Sequence, residues 1–238
     1  MSEAPGSFGF LSGGRAPAAP ATAEASLIAR LRVCYTGAVH DVLRAMGHDR
    51  FVLSHDIKAI APGTRVAGPV WTVEGGTDRP CTRDESLLGW CTLLARAPAG
   101  HVVVCQPNTR EIALMGELSA QTLQARGVLG YVVDGGSRDT ELVLAQAFPV
   151  FCAFLTPADI VARWLPTRYG EPIAIGDVTV RTGDWLLGDR DGVIVIPGAV
   201  VAEVVQRTED VMATESDMRR ALVSGMDPVA AYLEYGKF

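Results

Sequence analysis

Apolar residues recur along this chain at two periods, and the places where one gives way to the other mark its elements. Residues 25–46 carry helical spacing, interrupted near Cys34, Tyr35 and Thr36. Thr36 reads as the N-cap of a second helix whose Ala38, Val39, Val42, Leu43 and Met46 form one apolar face, closed by Gly47, with Asp41 off that face. Residues 57–60 and 65–74 then alternate as strands, and Pro62-Gly63 between them reads as the turn of an antiparallel pair. The glycines of residues 75–80 lack the Lys-Ser/Thr of a nucleotide loop, so this stretch is read as an ordinary connection or a mobile rim. Residues 84–96 return to helical spacing, with Leu87, Leu88, Cys91, Leu94 and Ala95 on the inward face, and a continuous apolar strand follows over 101–106.

The same alternation repeats through the middle of the chain. A helix starts after Gly116, with Leu118, Thr122, Leu123 and Ala125 as its pattern, and closes at Gly127. A strand starts at Gly130, a helix covers 140–147 and a strand covers 149–154. Helices that feed buried strands in this way predict a layered α/β fold. Beyond Leu155 the period shortens. Residues 158–164 read as a short helix, and 173–175, 178–180, 185–187 and 193–196 as short strands separated by turn residues. Asp189-Arg190-Asp191-Gly192 lacks the ligand series of a calcium loop and is read as hairpin chemistry. A long helix is predicted over 198–224, with Val200, Val204, Val211 and Met218 in register, and a short one from Asp227-Pro228 to Tyr235 as a candidate subunit contact.

These elements suit one domain over residues 25–225, an N-terminal arm at 1–24 and a helical tail at 226–238. The arm is rich in Ala, Pro, Gly and Ser; it is expected to be flexible, or to dock on a neighbour through Phe8, Phe10 and Leu11. With 48% apolar and 20% charged residues the composition is that of a globular protein, and a net charge of -6 without a long basic run argues against a nucleic-acid surface. The five cysteines contain no CxxC pair and the four histidines no HExxH, so neither set predicts a disulfide framework or a zinc site. No stretch reaches the ~20 apolar residues of a membrane helix. The first residues lack the pattern of a signal peptide, which leads to the expectation of a cytoplasmic protein without a membrane or nucleic-acid partner.

Candidate chemistry concentrates in residues 115–140. Gly116-Glu117 opens a helix whose first N–H groups have no intrahelical partner and suit a carboxylate. After the strand from Gly130, Asp134-Gly135-Gly136-Ser137 reads as a turn in which paired glycines supply positive φ, and it leads to Arg138-Asp139 at the mouth of the next helix. Ligands of open α/β sheets bind beyond the carboxyl ends of strands, so this order offers a guanidinium and a carboxylate to a small anion. Glu117 and Asp139 would repel each other in a dry pocket unless a cation lay between them, and oxygen donors without His or Cys suit Mg²⁺ or Mn²⁺. The simpler alternative has Asp139 capping a helix, Arg138 pairing with a surface acid and the glycines serving a tight turn.

Gly116-Glu117, the Gly135-Gly136-Ser137-Arg138-Asp139 motif, the Val-Arg-Thr-Gly-Asp and Asp-Arg-Asp-Gly-Val-Ile-Val-Ile-Pro segments and the final long helix resemble the RraA-like family. That family includes divalent-metal-dependent aldolases acting on 4-hydroxy-4-methyl-2-oxoglutarate and 4-carboxy-4-hydroxy-2-oxoadipate. The resemblance runs over about residues 36–224, and its most specific feature is an acid, 20 residues and then Arg-Asp, here Glu117 and Arg138-Asp139. Glu117 stands where the characterised aldolases have Asp. The resemblance implies an α/β/β/α sandwich assembled as a trimer or dimer of trimers, with sites between subunits. It implies that Asp139 binds the metal directly and Glu117 through water, and that Arg138 contacts a small 2-oxo acid. It further implies that the N–H groups of Gly116, Glu117, Leu118 and Ser119 hold the substrate carboxylate. A C-terminal-helix glutamate of a neighbouring subunit would complete the metal's water shell, with Glu215 as the candidate and Glu209 behind it. The activity so implied is aldol cleavage or decarboxylation through a pyruvate-type enolate. The alternatives are a non-catalytic regulator of a protein such as a ribonuclease, and a lyase acting on a sugar-derived oxo acid.

Overall fold

Strands that bury both faces need cover on both sides, and in this chain the cover on each side is different. The computed structural model describes residues 22–236. Its central strands are β2 (Val66–Gly76), β3 (Val102–Gln106), β4 (Gly130–Ser137) and β5 (Val150–Leu155), all parallel, in the order β5-β4-β3-β2. Val103, Cys105, Tyr131 and Val133 face one way, into a core shared with three helices: α3 (Arg83–Arg96), α4 (Glu117–Ala125) and α5 (Thr140–Ala145). Val102, Val104 and Val132 face the other way, against a second layer of strands. That layer contains the hairpin of β7 (Ile173–Ile175) and β8 (Val178–Val180), together with β9 (Trp185–Gly188) and β10 (Val193–Ile196). Leu186, Val193 and Val195 point inward to the first sheet, while Trp185, Leu187, Ile194 and Ile196 point outward to the last layer. There, α1 (Thr22–Val33), α2 (Thr36–Ala45) and α6 (Val201–Val223) close the stack. The result is the α/β/β/α sandwich, with a strand period of two feeding two cores at once.

Strand β2 joins the two halves. Its first part pairs antiparallel with β9 and its second part pairs with β3, so the sheet curls nearly onto itself. Its end also pairs with β6 (Leu165–Tyr169).

Several expectations from the sequence are corrected here. The two-residue strand β1 (Lys58–Ala59) does not pair with β2 across Pro62-Gly63; it lies antiparallel on the outer edge of β5. A local turn favours pairing with the next strand, but β5 offers an open edge that only the assembled sheet creates. Residues 75–76 are no rim loop either. They extend β2, and a side chain at Gly75 would lie 2.0 Å from the Trp164 ring. No helix covers 158–164; a turn over 161–163 precedes β6. On α3 the buried residues are Ser86, Trp90, Leu93 and Leu94, and Leu88 and Cys91 are exposed. The expected face was thus rotated, because Trp90 stacks edge-on against Trp164, at 5.9 Å between ring centres, and carries the helix with it. The last long helix is preceded by a 3-10 turn over Gly198–Val200, and α7 (Pro228–Tyr235) starts as expected at Asp227, which accepts from Val229 and Ala230 N–H at 2.9 and 3.1 Å. Helix α1 starts at Thr22, not Ala25, and the rest of the proposed arm, including Phe8, Phe10 and Leu11, lies outside the described residues. Among the described residues no helix is long and apolar enough to cross a membrane.

Candidate active site

The site forms where the carboxyl end of β4 meets the amino end of α4. What was read as a turn at 134–137 is the continuation of β4, and neither Gly135 nor Gly136 has positive φ. These glycines are needed for close approach: a side chain on Gly136 would lie 2.8 Å from the Ile112 carbonyl and 2.7 Å from the Phe154 ring. The space so left lets residues 112–114 pair with β4, through Gly136 N–H to the Ile112 carbonyl at 3.1 Å and Leu114 N–H to the Gly136 carbonyl at 2.9 Å. Arg138 N–H then donates to the Met115 carbonyl at 2.9 Å, which fixes Arg138 beside Gly116.

The positive φ of the region belongs to Asp139, at 54°, a left-handed conformation that aspartate adopts more readily than most residues. Asp139 occupies the N-cap position of α5, yet its side chain makes no cap hydrogen bond there. Instead its Oδ2 accepts the Glu117 N–H, the first of α4, at 3.3 Å. The helix-cap alternative for Asp139 therefore fails for its own helix: the carboxylate turns to the neighbouring one. Gly116 makes this possible, because a Cβ on it would stand 2.7 Å from Asp139 Oδ2. Arg138 Nε lies 3.5 Å from the same oxygen, and Nη1 lies 3.4 Å from Asp159 Oδ2. The three side chains are 39%, 39% and 43% exposed, so they remain open to a ligand. Gln146 Nε2 donates to the Glu117 carbonyl at 3.2 Å and Gln124 Nε2 to the Gln146 carbonyl at 3.0 Å, tying α5 to α4 around the site.

A depression of ≈ 320 Å³ opens beside this cluster, walled by Ser137 to Thr140 on one side and Leu155, Thr156 and Pro157 on the other. Gly116, Glu117, Arg138 and Asp139 are thus brought together. The Glu117 carboxylate makes no hydrogen bond or ion pair with the described residues. Leu118 points outward, 73% exposed, and offers a ligand only its N–H, while Ser119 Oγ accepts from Trp90 Nε1 at 2.9 Å. Of the residues that gave α4 its helical pattern, Leu123 is buried, together with Ala120, while Leu118, Thr122 and Ala125 are exposed. Glu215 sits on α6, in the layer on the far side of both sheets, and is not brought to Asp139 within one chain. Glu209, also on α6, is held by Arg30 through contacts of 2.9 and 2.5 Å, which keep its carboxyl below the usual range.

Asp139 Oδ2 is engaged while Oδ1 has no protein partner among the described residues, and no group of three or more His, Cys, Asp or Glu comes together there. One free carboxylate oxygen without a nitrogen or sulfur ligand suits a hard ion that keeps most of its water and does not fit zinc. Asp159 was missed at the sequence level. Its place just past the end of β5, where ligands of such sheets gather, was the available signal.

Fold and site together define a layered α/β protein in which the amino end of α4 faces an Arg-Asp pair at the ends of parallel strands. The chain belongs to the RraA-like family, described as Aldolase/RraA, which matches residues 36–195. It is 28% identical over 215 residues to a protein of Halalkalibacterium halodurans named "Putative 4-hydroxy-4-methyl-2-oxoglutarate aldolase", covering 89% of this chain and 96% of that one. It is also 28% identical over 202 residues to DlpA of Legionella pneumophila, covering 84% of this chain but only 32% of that protein's length. Among solved structures it is similar to RraAS2 of Streptomyces coelicolor, titled an unusual member of the RNase ES inhibitor RraA protein family. There the TM-score is 0.72 and the identity 27%, over 82% of this chain and 97% of the other.

Proposed function

We propose that this protein is a divalent-metal-dependent lyase that cleaves a small 2-oxo acid through a pyruvate-type enolate, by retro-aldol scission or decarboxylation, in the cytoplasm. The observation that carries the reading is the meeting of the Glu117 N–H, the Asp139 carboxylate and the Arg138 guanidinium around Gly116. The aldolase name of the Halalkalibacterium halodurans relative supports it. In this reading Arg138 and the first N–H groups of α4 hold the substrate's carboxylate and keto oxygen. Asp139 would hold Mg²⁺ or Mn²⁺ directly, with Glu117, and Glu215 from a neighbouring copy in a trimer or dimer of trimers, contributing through water. When bound, the cation supplies Lewis-acid polarisation of the 2-keto oxygen. In the retro-aldol direction the C3–C4 bond breaks, its electron pair passes into the enolate, and the 4-hydroxyl loses its proton to become a carbonyl. The enolate then gains a proton to give pyruvate. Arg138 stabilises the enolate charge as it develops.

Pyruvate release from 4-hydroxy-4-methyl-2-oxoglutarate and from oxaloacetate, followed with Mg²⁺, Mn²⁺ or EDTA, tests this. Cation-dependent release is expected, and no release with any cation or oxo acid, sugar-derived oxo acids included, rejects it. A second reading, a non-catalytic regulator that binds a protein such as a ribonuclease, draws on the exposed Leu118, Leu142 and Leu155, which sit on the same elements as the site. Saturable binding to a ribonuclease, unchanged by EDTA and without pyruvate release, would favour it.

A further inference from the structure

Arg138 stands between two carboxylates, not one. Its Nε is 3.5 Å from Asp139 Oδ2 and its Nη1 is 3.4 Å from Asp159 Oδ2, so the guanidinium is shared almost evenly and forms a forked pair with neither. Asp159 is well placed to hold its share. Its other oxygen, Oδ1, accepts the Val161 N–H at 3.1 Å. The segment carrying it is tied down by Ala113 N–H donating to the Ala158 carbonyl at 2.8 Å and by Ala158 N–H donating to Thr156 Oγ1 at 3.3 Å. Asp139 is equally fixed by the Glu117 N–H and by its left-handed backbone. The long flexible side chain between them is the element free to choose.

A guanidinium with a single carboxylate in reach closes onto it in a two-pronged contact, because its parallel N–H groups match the two oxygens. We propose that Asp159 is a positioning residue that draws the Arg138 guanidinium off Asp139. This leaves Asp139 Oδ1 available to a cation and turns the Arg138 N–H groups toward the depression walled by Thr156 and Pro157. Its effect on turnover rests on the proposed function; its effect on the placement of Arg138 does not.

Crystal structures of Asp159→Ala and Asp159→Asn, combined with Mn²⁺ titration by calorimetry on the full chain, test the proposal. In Asp159→Ala, Arg138 is expected to rotate so that two of its nitrogens approach the Asp139 oxygens to about 3 Å. Mn²⁺ affinity is expected to fall about tenfold or more, as is usual when a residue orienting a ligand is lost. Asp159→Glu should recover much of that affinity. Mere loss of folded protein would lower the titration's stoichiometry and leave its affinity unchanged. Arg138 staying in place in both variants overturns the proposal, and so does Mn²⁺ affinity that holds although Arg138 has moved. If the unaltered chain neither takes up Mn²⁺ nor releases pyruvate, the functional reading falls, and the position of Arg138 in Asp159→Ala still decides the role of Asp159.

Discussion

At the scale of single residues, the site depends on what is missing at Gly116 as much as on what is present at Arg138 and Asp139. The Asp139 carboxylate reaches the Glu117 N–H across the space where a Cβ would stand 2.7 Å away. Gly116→Ala should therefore push the carboxylate off the helix end and lower turnover on the order of 100-fold, the penalty for a misplacement of about 1 Å, while the melting temperature changes little. Arg138→Ala and Asp139→Ala should each lower turnover at least ~100-fold, equivalent to about 3 kcal/mol of lost electrostatic stabilisation. Both side chains are partly exposed, so circular dichroism should show the fold intact. Unchanged pyruvate release in either variant would remove that residue from the site. The candidate residues could be named in the sequence because polar and special residues concentrate at 115–140 and because the acid, 20 residues and Arg-Asp resemble the RraA-like pattern. Their geometry was not legible. Positive φ was expected of Gly135 and Gly136 and occurs at Asp139, because φ depends on the path forced by the neighbouring strand and not on residue type alone.

At the scale of elements, one buried carboxylate joins two parts of the chain that lie far apart in sequence. Asp189, in the turn between β9 and β10, accepts the Thr36 N–H at 2.8 Å and the Thr36 hydroxyl at 2.8 Å, and so caps α2 from outside. It also accepts the Asp191 N–H at 3.0 Å, which closes its own turn. Asp189→Ala would leave buried donors of Thr36 unpaired and should destabilise the protein by about 2 kcal/mol in urea denaturation. A loss below a few tenths of a kcal/mol would mean that water replaces the carboxylate. The sequence pointed to Thr36 as its helix's own cap and to Asp189 as plain turn chemistry. Each half of that reading was reasonable locally, and only the contact between them shows the shared role. Strand β1 fails in the same way, since Lys58 and Ala59 carry no mark of the β5 edge they pair with. The long α6 and the short strands β7 to β10 were legible because their periods are uninterrupted and their ends carry Gly, Asp or Pro.

At the scale of the whole molecule, the outer helical layer is clasped by Arg30 of α1, which reaches Glu209 and Gln206 of α6. Arg30 lowers the Glu209 carboxyl below its ordinary value, so the pair stabilises the folded chain above the unfolded carboxylate range and loses that contribution as pH falls through the lowered value. Arg30→Ala should lower the melting temperature slightly at pH 7, because an open ion pair contributes little, and the difference from the unaltered protein should vanish at a pH low enough to protonate Glu209 in the folded chain. A difference that persists at that pH would assign the effect to packing of the arginine stem.

The sequence by itself determined which segments are helix and which strand through most of the chain, the layered class, and the residues that carry charge at the site. These follow from periodicity and from chemistry carried by individual side chains, both of which act over a few residues. The tertiary structure alone decided the edge position of β1, the joining of the sheet halves by β2, the capping of α2 by Asp189 and the suspension of Arg138 between Asp139 and Asp159. Each of these is a contact between residues distant along the chain, and its energy exists only once the layers that bring them together have formed.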